Sequence, residues 1–566
     1  MIPSQPASVP DQPQDPFRWS RSDRARVHAD FSDPRHTPSS QRQYAQQHGI
    51  PRSTLGTWVR QDTPDDVDPH LVAFLRNPAG ELFLRHILVA AMLVFHQANA
   101  CGLRTIGQFL RLAKLDSFVA SSYGALHSFA ASLQAELGRF GDEEQQRLAA
   151  TMTPKTITLA ADENFHGPKP CLVAIEPVSN FLVVESYRDR RDGDTWTEAI
   201  QERLKGLPLR VVLLTSDQAK GLLRCARDGL EVLQSPDLFH RQRDVLRPLL
   251  LPLQRPIQQA QKELEQAQQR AHRLDAEIPP EGLEISREAF EKLVEAVRDE
   301  LKAVKKLEQS QEPKERVVEQ VRGVGDDYHP FDRQTGRPLT EKQVEQRLGQ
   351  RVDRLQEVAQ QAGLGQGAEE ALTKARSWLG TLVAVVAWFW IEVRQQVEKL
   401  ELSEEQERVV YECLVAGHYW EQAANRARQP EERQRLKALA ERLKTHAWEQ
   451  GGVLSILPKE QREEVERVSR QCGGLFSRSS SCVEGRNGRL SLHHHGQGRL
   501  SEGRLKALTT VHNYVIERSD GTTAAERFFG SKPRNVFAWL LDRLPDLPRP
   551  AVKRPKKSAQ TPPLLG

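Results

Sequence analysis

Three carboxylates in this 566-residue chain stand where carboxylates can do chemistry. Asp162 closes the alternating run KTITLAADEN, and Asp217 closes the apolar run VVLLTS. Glu484 lies in SSSCVEGRNGRLS, among serines, glycines, an asparagine and arginines. Two carboxylates at neighbouring strand ends repel unless a cation sits between them. Mg2+ takes hard oxygen ligands in octahedral geometry, and its sites draw one or two carboxylates per ion plus substrate phosphate. Two such ions suit in-line displacement at a phosphodiester. The plainer role of either aspartate alone is to cap the next helix, as Asp217 can for QAKGLL. Their joint occurrence favours the metal pocket. Glu163 should point to the other face of the strand, unless the strand ends there and lets it swing in. Glu463, Glu464 and Glu466 compete with Glu484 but sit on a charged helical face without its Asn-Gly-Arg setting.

These residues need a sheet to hold them. KTITLAADEN, CLVAIEP and FLVVESYRDR read as three antiparallel strands. DTWTEAIQERLKGL is an amphipathic helix capped near Asp194. LRVVLLTSDQAKGL is a strand running into a helix, and LEVLQSPDLFHRQRDV a short strand followed by another. The order β-β-β-α-β-α-β-α is that of the ribonuclease H-like fold, a mixed sheet flanked by helices. From 248 to 470 the chain is rich in Glu, Gln, Lys, Arg and Leu with helical periodicity, broken at IPPEG and GVGDDYHPFDRQTGRP. This reads as an all-helical insertion.

Upstream, Ser39 or Ser40 can cap a helix reaching Gln47. Gly49 allows a sharp turn, and Pro51 suits the start of a second helix over 52–60. Ala45 is small where the helices cross, while Ile50, Leu55 and Trp58 face a shared core. This is the helix-turn-helix pattern. Its second helix would present Arg52, Ser53, Thr54, Thr57 and Arg60 to DNA. The expected organisation is α+β and multidomain: a disordered Pro-rich lead over 1–36, the helix-turn-helix over 37–62, and a helical DNA-binding or linker region over 63–150. The catalytic core would occupy 151–247 and 471–530, interrupted by the insertion over 248–470 and followed by a basic Pro-rich tail over 531–566.

The net charge of +4 excludes a global polyelectrolyte argument, so basic surface must be local. Between Arg470 and Lys506 seven basic residues face only Glu484 and Glu502, a rim suited to phosphate. Arg486 and Arg489 belong to it, and Asn487 can orient Glu484 or touch DNA. His493–His495 read as a polar loop touching DNA, because three consecutive histidines cannot all face one metal. Six scattered cysteines without a CxxC pair fit a reducing cytoplasm. The N-terminus has no signal-peptide core, and the apolar run around Trp378–Val393 is too short for a membrane span.

With these segments in view, the chain resembles the DDE transposases. LAADEN, LLTSDQAKGL and CVEGRNGRLS are similar to that family's three acidic blocks, and VHNYVIERSDGTTAAERFFG to the closing segment of many bacterial members. The resemblance implies that Asp162, Asp217 and Glu484 form a catalytic triad holding Mg2+, with Mn2+ as a substitute. PDLFH resembles an aspartate-x-x-histidine signature carried here by Asp237 and His240, in groups that also have a helical insertion before the last acidic residue. The implied activity is two-metal cleavage of element ends and strand transfer into target DNA. The implied assembly is a homo-oligomer on terminal repeats in a bacterial cytoplasm, associated with the nucleoid and not with a membrane. The alternatives are an inactive sequence-specific DNA-binding relative and a ribonuclease H-like nuclease.

Overall fold

The computed structural model describes residues 27, 30–31, 40–59, 68–165, 167–277, 286–497 and 500–550. The protein is α+β and mostly helical, with one five-stranded mixed sheet. It divides into two compact units, Met152–Gly488 and a second built from Met1–Thr151 with Arg489–Gly566. The division differs from the expected one: residues 489–530 cluster with the N-terminal helices, not with the sheet.

In the first of these units the strands are β1 Lys155–Asn164, β2 Cys171–Glu176, β3 Phe181–Tyr187, β4 Leu209–Ser216 and β5 Leu233–Pro236, in the order β3-β2-β1-β4-β5. The first three pair antiparallel, and β4 and β5 run parallel to β1. Strand β2 is buried at every position, which explains its unbroken apolar run. The turn into β3 closes on Glu176, whose carboxylate accepts the Val178 and Ser179 N–H groups at 2.8 and 2.7 Å. The helix Gly193–Leu204 is capped by Asp192, two residues before the expected position.

One register detail matters for the site. Ile157 pairs with Val211 but Thr158 with Leu213, so Val212 is an extra residue in β4. The last rung is Ala160 with Thr215. Carried two residues further, that register sets Asp217 level with Asp162; without the bulge Ser216 would stand there.

The helical part begins earlier than expected. One helix, Leu238–Ala276, starts directly after β5 and continues through Pro248, Pro252 and Pro256. The boundary expected at 248 therefore falls inside it. Prolines four apart lie on one strip of the helix, so the lost N–H groups share a side and the other hydrogen-bond rows run on. This helix pairs with Arg287–Asp327, and the ion pairs Lys306–Glu263 and Arg270–Asp299 show the two to be antiparallel. The helix Gln366–Val397 contributes Trp378, Leu382, Val385, Val386 and Phe389 to a core shared with Val212 and Leu213 of β4. Its Glu392 pairs with Arg210 of β4 at 2.6 Å. By length and composition this helix, with its extension to Leu400, and Pro78–Ala98 would each reach across a membrane. The core positions just named are buried within the unit.

In the second unit, Ser40 and Gln43 form a reciprocal cap on the helix Gln41–Gln47. Gly49 takes a left-handed φ of 62°, and the helix Arg52–Val59 follows. Tyr44, Ala45, Ile50 and Leu55 form a small core with Val27 and Phe31. The Tyr44 hydroxyl donates to Asp30 at 2.7 Å. Thus Val27, Asp30 and Phe31, within the lead expected to be disordered, pack here because Phe31 covers an apolar corner; the rest of 1–36 lies outside the described residues. The side chain of Trp58 also lies outside them.

The expected tail is corrected over 531–550. Val536–Arg543 is a helix with Trp539 and Leu540 buried. Buried Glu144 accepts from Arg147 at 2.6 Å and from the Arg534 N–H at 2.7 Å, and the Ala120 N–H donates to Pro548 at 2.7 Å. A buried carboxylate calls for such partners, and they tie the segment down. Residues 551–566 lie outside the described residues.

Candidate functional site

Strand β1 carries Asp162 and Glu163 past its last rung with β4, and Asp217 is the first residue after β4. Each of the three offers a carboxylate oxygen within 4.8 Å of the others. Glu163 joins although the strand continues to Asn164. Of the two placements open to Glu163, the structure shows the one in which its carboxylate joins Asp162 and Asp217.

Each carboxylate is partly engaged. Asp162 Oδ1 accepts the Glu163 N–H at 2.9 Å, and Asp217 Oδ1 accepts the Ala219 N–H at 2.9 Å. Trp196 Nε1, on a fully buried side chain, lies 3.5 Å from Glu163 Oε1. Gln218 adopts a left-handed φ of 68°, which turns the chain sharply after Asp217. Such a conformation costs a non-glycine residue about 1 kcal/mol and is stored most often at functional sites. Amide contacts brace it: Gln218 Nε2 to Gln234 Oε1 and Gln234 Nε2 to Ser216 Oγ, both 3.1 Å.

Burial first, then the charge of Asp217, pushes the Asp162 carboxyl up to about 7. Burial likewise raises Glu163, with Asp217 adding to the rise and Trp196 and Arg191 opposing it. These carboxyls resist ionising while bare, and a cation among them would relieve that.

Asp237 and His240 lie beside this group. Asp237, 1% exposed, caps the helix Leu238–Ala276 by accepting the Phe239 and His240 N–H groups at 2.7 and 3.2 Å. Its other oxygen accepts the Ser480 N–H at 2.8 Å and the Ser480 hydroxyl. Burial alone would raise this carboxyl, but the donors from His240 and Ser480 win and hold it at about 2. Its stabilising contribution is thus present above the unfolded carboxylate range and is lost as pH falls through about 2. His240 Nδ1 stands 3.5 Å from Asp237 Oδ2, and that partner raises the imidazole above its ordinary value against burial.

Glu484 sits in the first turn of the helix Ser481–Gln497, with its Oε1 4.0 Å from His240 Nε2. Among the described residues it is outside the group of three carboxylates. The structure thus brings Asp162 and Asp217 together with Glu163, and sets Glu484 against His240, whose charge also acts on Asp162. Asn487 lies one turn beyond Glu484, its Oδ1 buried without a hydrogen-bond partner. The competitors are engaged elsewhere: Glu463 with Lys459, Glu464 with Arg467, and Glu466 with His418.

Arg486 is corrected. It is 4% exposed and forms a two-pronged pair with Glu185 of β3 at 2.7 and 2.6 Å, which anchors the Glu484 helix to the sheet and leaves no guanidinium for DNA. Arg489 is exposed. His493–His495 are corrected from loop to helix, and His493 is buried. Arg52 and Ser53 are exposed and Thr54 is half-buried, whereas the Thr57 side chain and Arg60 lie outside the described residues.

Sequence reasoning missed Ser480 and two exposed phenylalanines. Phe165, two residues past Glu163, is 55% exposed, with Arg191 5.3 Å from its ring centre. Phe239, beside His240, is 49% exposed. The signal available was their adjacency to the acidic and histidine motifs.

Residues 410–556 match a family described as a family of unknown function (DUF6399). The match includes Glu484 but not Asp162, Asp217, Asp237 or His240. No curated protein and no solved structure matches the chain.

Proposed function

We propose that the protein is a DDE-type DNA transposase: a ribonuclease H-like core, interrupted by a helical insertion, that cleaves element ends and transfers strands into target DNA. The observation that carries the reading is the convergence of Asp162, Glu163 and Asp217 at the carboxyl ends of two neighbouring parallel strands. Three antiparallel strands followed by two parallel ones support the core, and the helices between β5 and Glu484 support the insertion. The two short helices around Gly49, with Arg52 and Ser53 exposed, support a helix-turn-helix that reads terminal repeats. Pairing two ends would require a homo-oligomer on DNA.

The donor set fits Mg2+ or Mn2+, being all hard oxygen and short of compensating cations. Asp162, Glu163 and Asp217 would hold the ion, and when bound it would supply Lewis-acid polarisation of a phosphodiester oxygen. His240, kept basic by Asp237, would hold its proton toward Glu484 or a phosphate oxygen. The rings of Phe165 and Phe239 would offer stacking faces to unpaired bases, a contact worth about 1–3 kcal/mol per base. Phe165→Ala with Phe239→Ala should then weaken binding of a frayed repeat end by at least tenfold in fluorescence anisotropy, while binding of a fully paired duplex stays within twofold.

The test is metal-dependent cleavage of a terminal-repeat duplex, with RNA–DNA hybrid as a second arm. Wild type should nick the repeat in Mg2+ or Mn2+, and Asp217→Asn should not. Cleavage by that variant at the wild-type rate would sink the reading. Preference for hybrid would move it to a ribonuclease H-like nuclease, and tight repeat binding without cleavage to an inactive relative. The acidic groups separate further. Glu163→Gln should weaken Mn2+ binding, read by electron paramagnetic resonance, by at least about tenfold. Glu484→Gln should leave Mn2+ binding within threefold but still slow cleavage.

A further inference from the structure

A second cleft, of about 220 Å3, opens in the Met152–Gly488 unit among Gly325, His329, Tyr419, Trp420, Arg426 and Arg478. Its charges do not balance. Arg333, on the wall, is answered by Asp326 and Glu432. Arg426 and Arg478 have no acidic partner among the described residues, although Arg478 is largely enclosed and each repels the other. Enclosed cations in folded proteins are normally paired, because desolvating a lone charge is costly.

The neutral donors point the same way. Arg478 Nη1 donates to the Gly325 carbonyl at 2.6 Å and stands 2.9 Å from His329 Nε2. That ring nitrogen therefore presents its lone pair, and the imidazole proton is on Nδ1. Nδ1 is 2.5 Å from the Tyr419 hydroxyl oxygen, which accepts it. The hydroxyl proton of Tyr419 is then available to another acceptor. Trp420 is fully buried, and its Nε1–H has no acceptor among the described residues. Among the described residues no acceptor takes the N–H groups of Arg478 Nε and Nη2 either. Exposed Arg426 gives one N–H to the Pro177 carbonyl at 3.2 Å, and Arg478 uses Nη1 as above; the rest of the two guanidinium forks, the Tyr419 hydroxyl proton and the Trp420 indole N–H lack acceptors among the described residues.

We propose that this cleft binds a phosphoryl anion between Arg478 and Arg426, with Tyr419 and Trp420 as the neutral donors. A guanidinium fork matches the spacing of phosphate oxygens, and such charge-assisted bonds are the strong ones. The site is distinct from the carboxylate group and needs no metal. It is joined to that group by a short strap. The Arg478 carbonyl accepts the Leu238 N–H at 3.0 Å, and the Ser477 carbonyl accepts the Ser235 hydroxyl at 3.3 Å. Ser480, two residues on, holds Asp237. An anion on Arg478 would therefore steady the strap that positions His240.

The probe is pyrophosphate, added in chelator to the full chain carrying Asp162→Asn, so that the carboxylate group contributes nothing through metal. Phosphorus NMR and thermal melting should show saturable binding at millimolar concentration or below. Arg426→Gln should weaken it at least tenfold with unchanged melting in the absence of anion, and Tyr419→Phe should weaken it several-fold while lowering that melting slightly, because the buried His329 N–H loses its acceptor. These two variants keep the test independent of whether Arg478→Gln folds. No binding by the unvaried cleft, or equal binding by both variants, would overturn the assignment. Competition by a short single-stranded oligonucleotide identifies the source as a nucleic-acid backbone. Competition by a nucleoside monophosphate at equal phosphate concentration identifies a free nucleotide. Either keeps the site.

Discussion

Replacing Asp162 with asparagine is expected to raise the melting temperature of the metal-free protein at pH 8 and to remove metal-dependent cleavage of DNA. The carboxyl is held at about 7 in the folded chain, above its unfolded value of 3.8. A raised acid means that the folded state holds the proton more tightly than the unfolded state. Ionising it therefore destabilises the fold, from pH values above the unfolded range, and the penalty is complete above about 7. Each pKa unit corresponds to about 1.4 kcal/mol, and solvent at a partly open site reduces the sum, so a gain of about 1–3 kcal/mol is expected. At pH 5 the penalty is only partly developed, so the gap between the two melting curves should narrow, and it should close below the unfolded value of 3.8. Excess Mn2+ should reverse the order, raising wild type and not the variant. Equal melting at pH 8 in chelator would show that Asp162 bears no such penalty.

The largest loss of stability is expected from Arg486→Ala. Removing one partner of a buried ion pair strands the other, at a cost of about 3–5 kcal/mol. Here Glu185, with no exposed side-chain surface, would lose both prongs of the guanidinium. Replacing both members, as Arg486→Met with Glu185→Leu, should recover most of that loss, because an apolar pair of similar volume needs no desolvation. Chemical denaturation of the three variants and wild type gives the cycle. If Arg486→Ala melted like wild type but bound DNA poorly, the arginine would be a surface contact after all. Because this pair anchors the Glu484 helix, slower cleavage should accompany any partial unfolding there.

The contrast between these two residues shows what was legible in the chain. The strands and long helices declare themselves through period, and Asp162 and Asp217 through their places at strand ends. The match of their levels is a different matter. It depends on one bulged residue, Val212, whose apolar side chain reads like any other in VVLLTS. Glu163 was left between two placements for the same reason: alternation predicts its face, but not where its ladder with β4 ends. Arg486 looks solvent-facing in a basic run, and only the return of its helix to β3 reveals its partner 301 residues away. Prolines 248, 252 and 256 look like a boundary, because breaking is what a single proline does. The chain from 531 looks like a tail by composition, yet Glu144 and Trp539 give it a place to pack.

The hydrogen bond between Ser480 and Asp237 spans 243 residues, and this sets an order of events during synthesis. A ribosome that has released the chain as far as 247 has delivered Asp162, Glu163, Asp217, Asp237 and His240, but nothing to hold Asp237 or to present Glu484. Closing so long a loop is entropically slow unless the intervening residues fold first and shorten it. The helical hairpin and the core around Phe389 must therefore assemble before residues 477–484 dock. A nascent or truncated chain would carry the acidic cluster without its histidine fixed in place, and the finished site would appear only with the complete polypeptide. An interrupted translation product would therefore carry the carboxylates without Ser480 or Glu484 beside them.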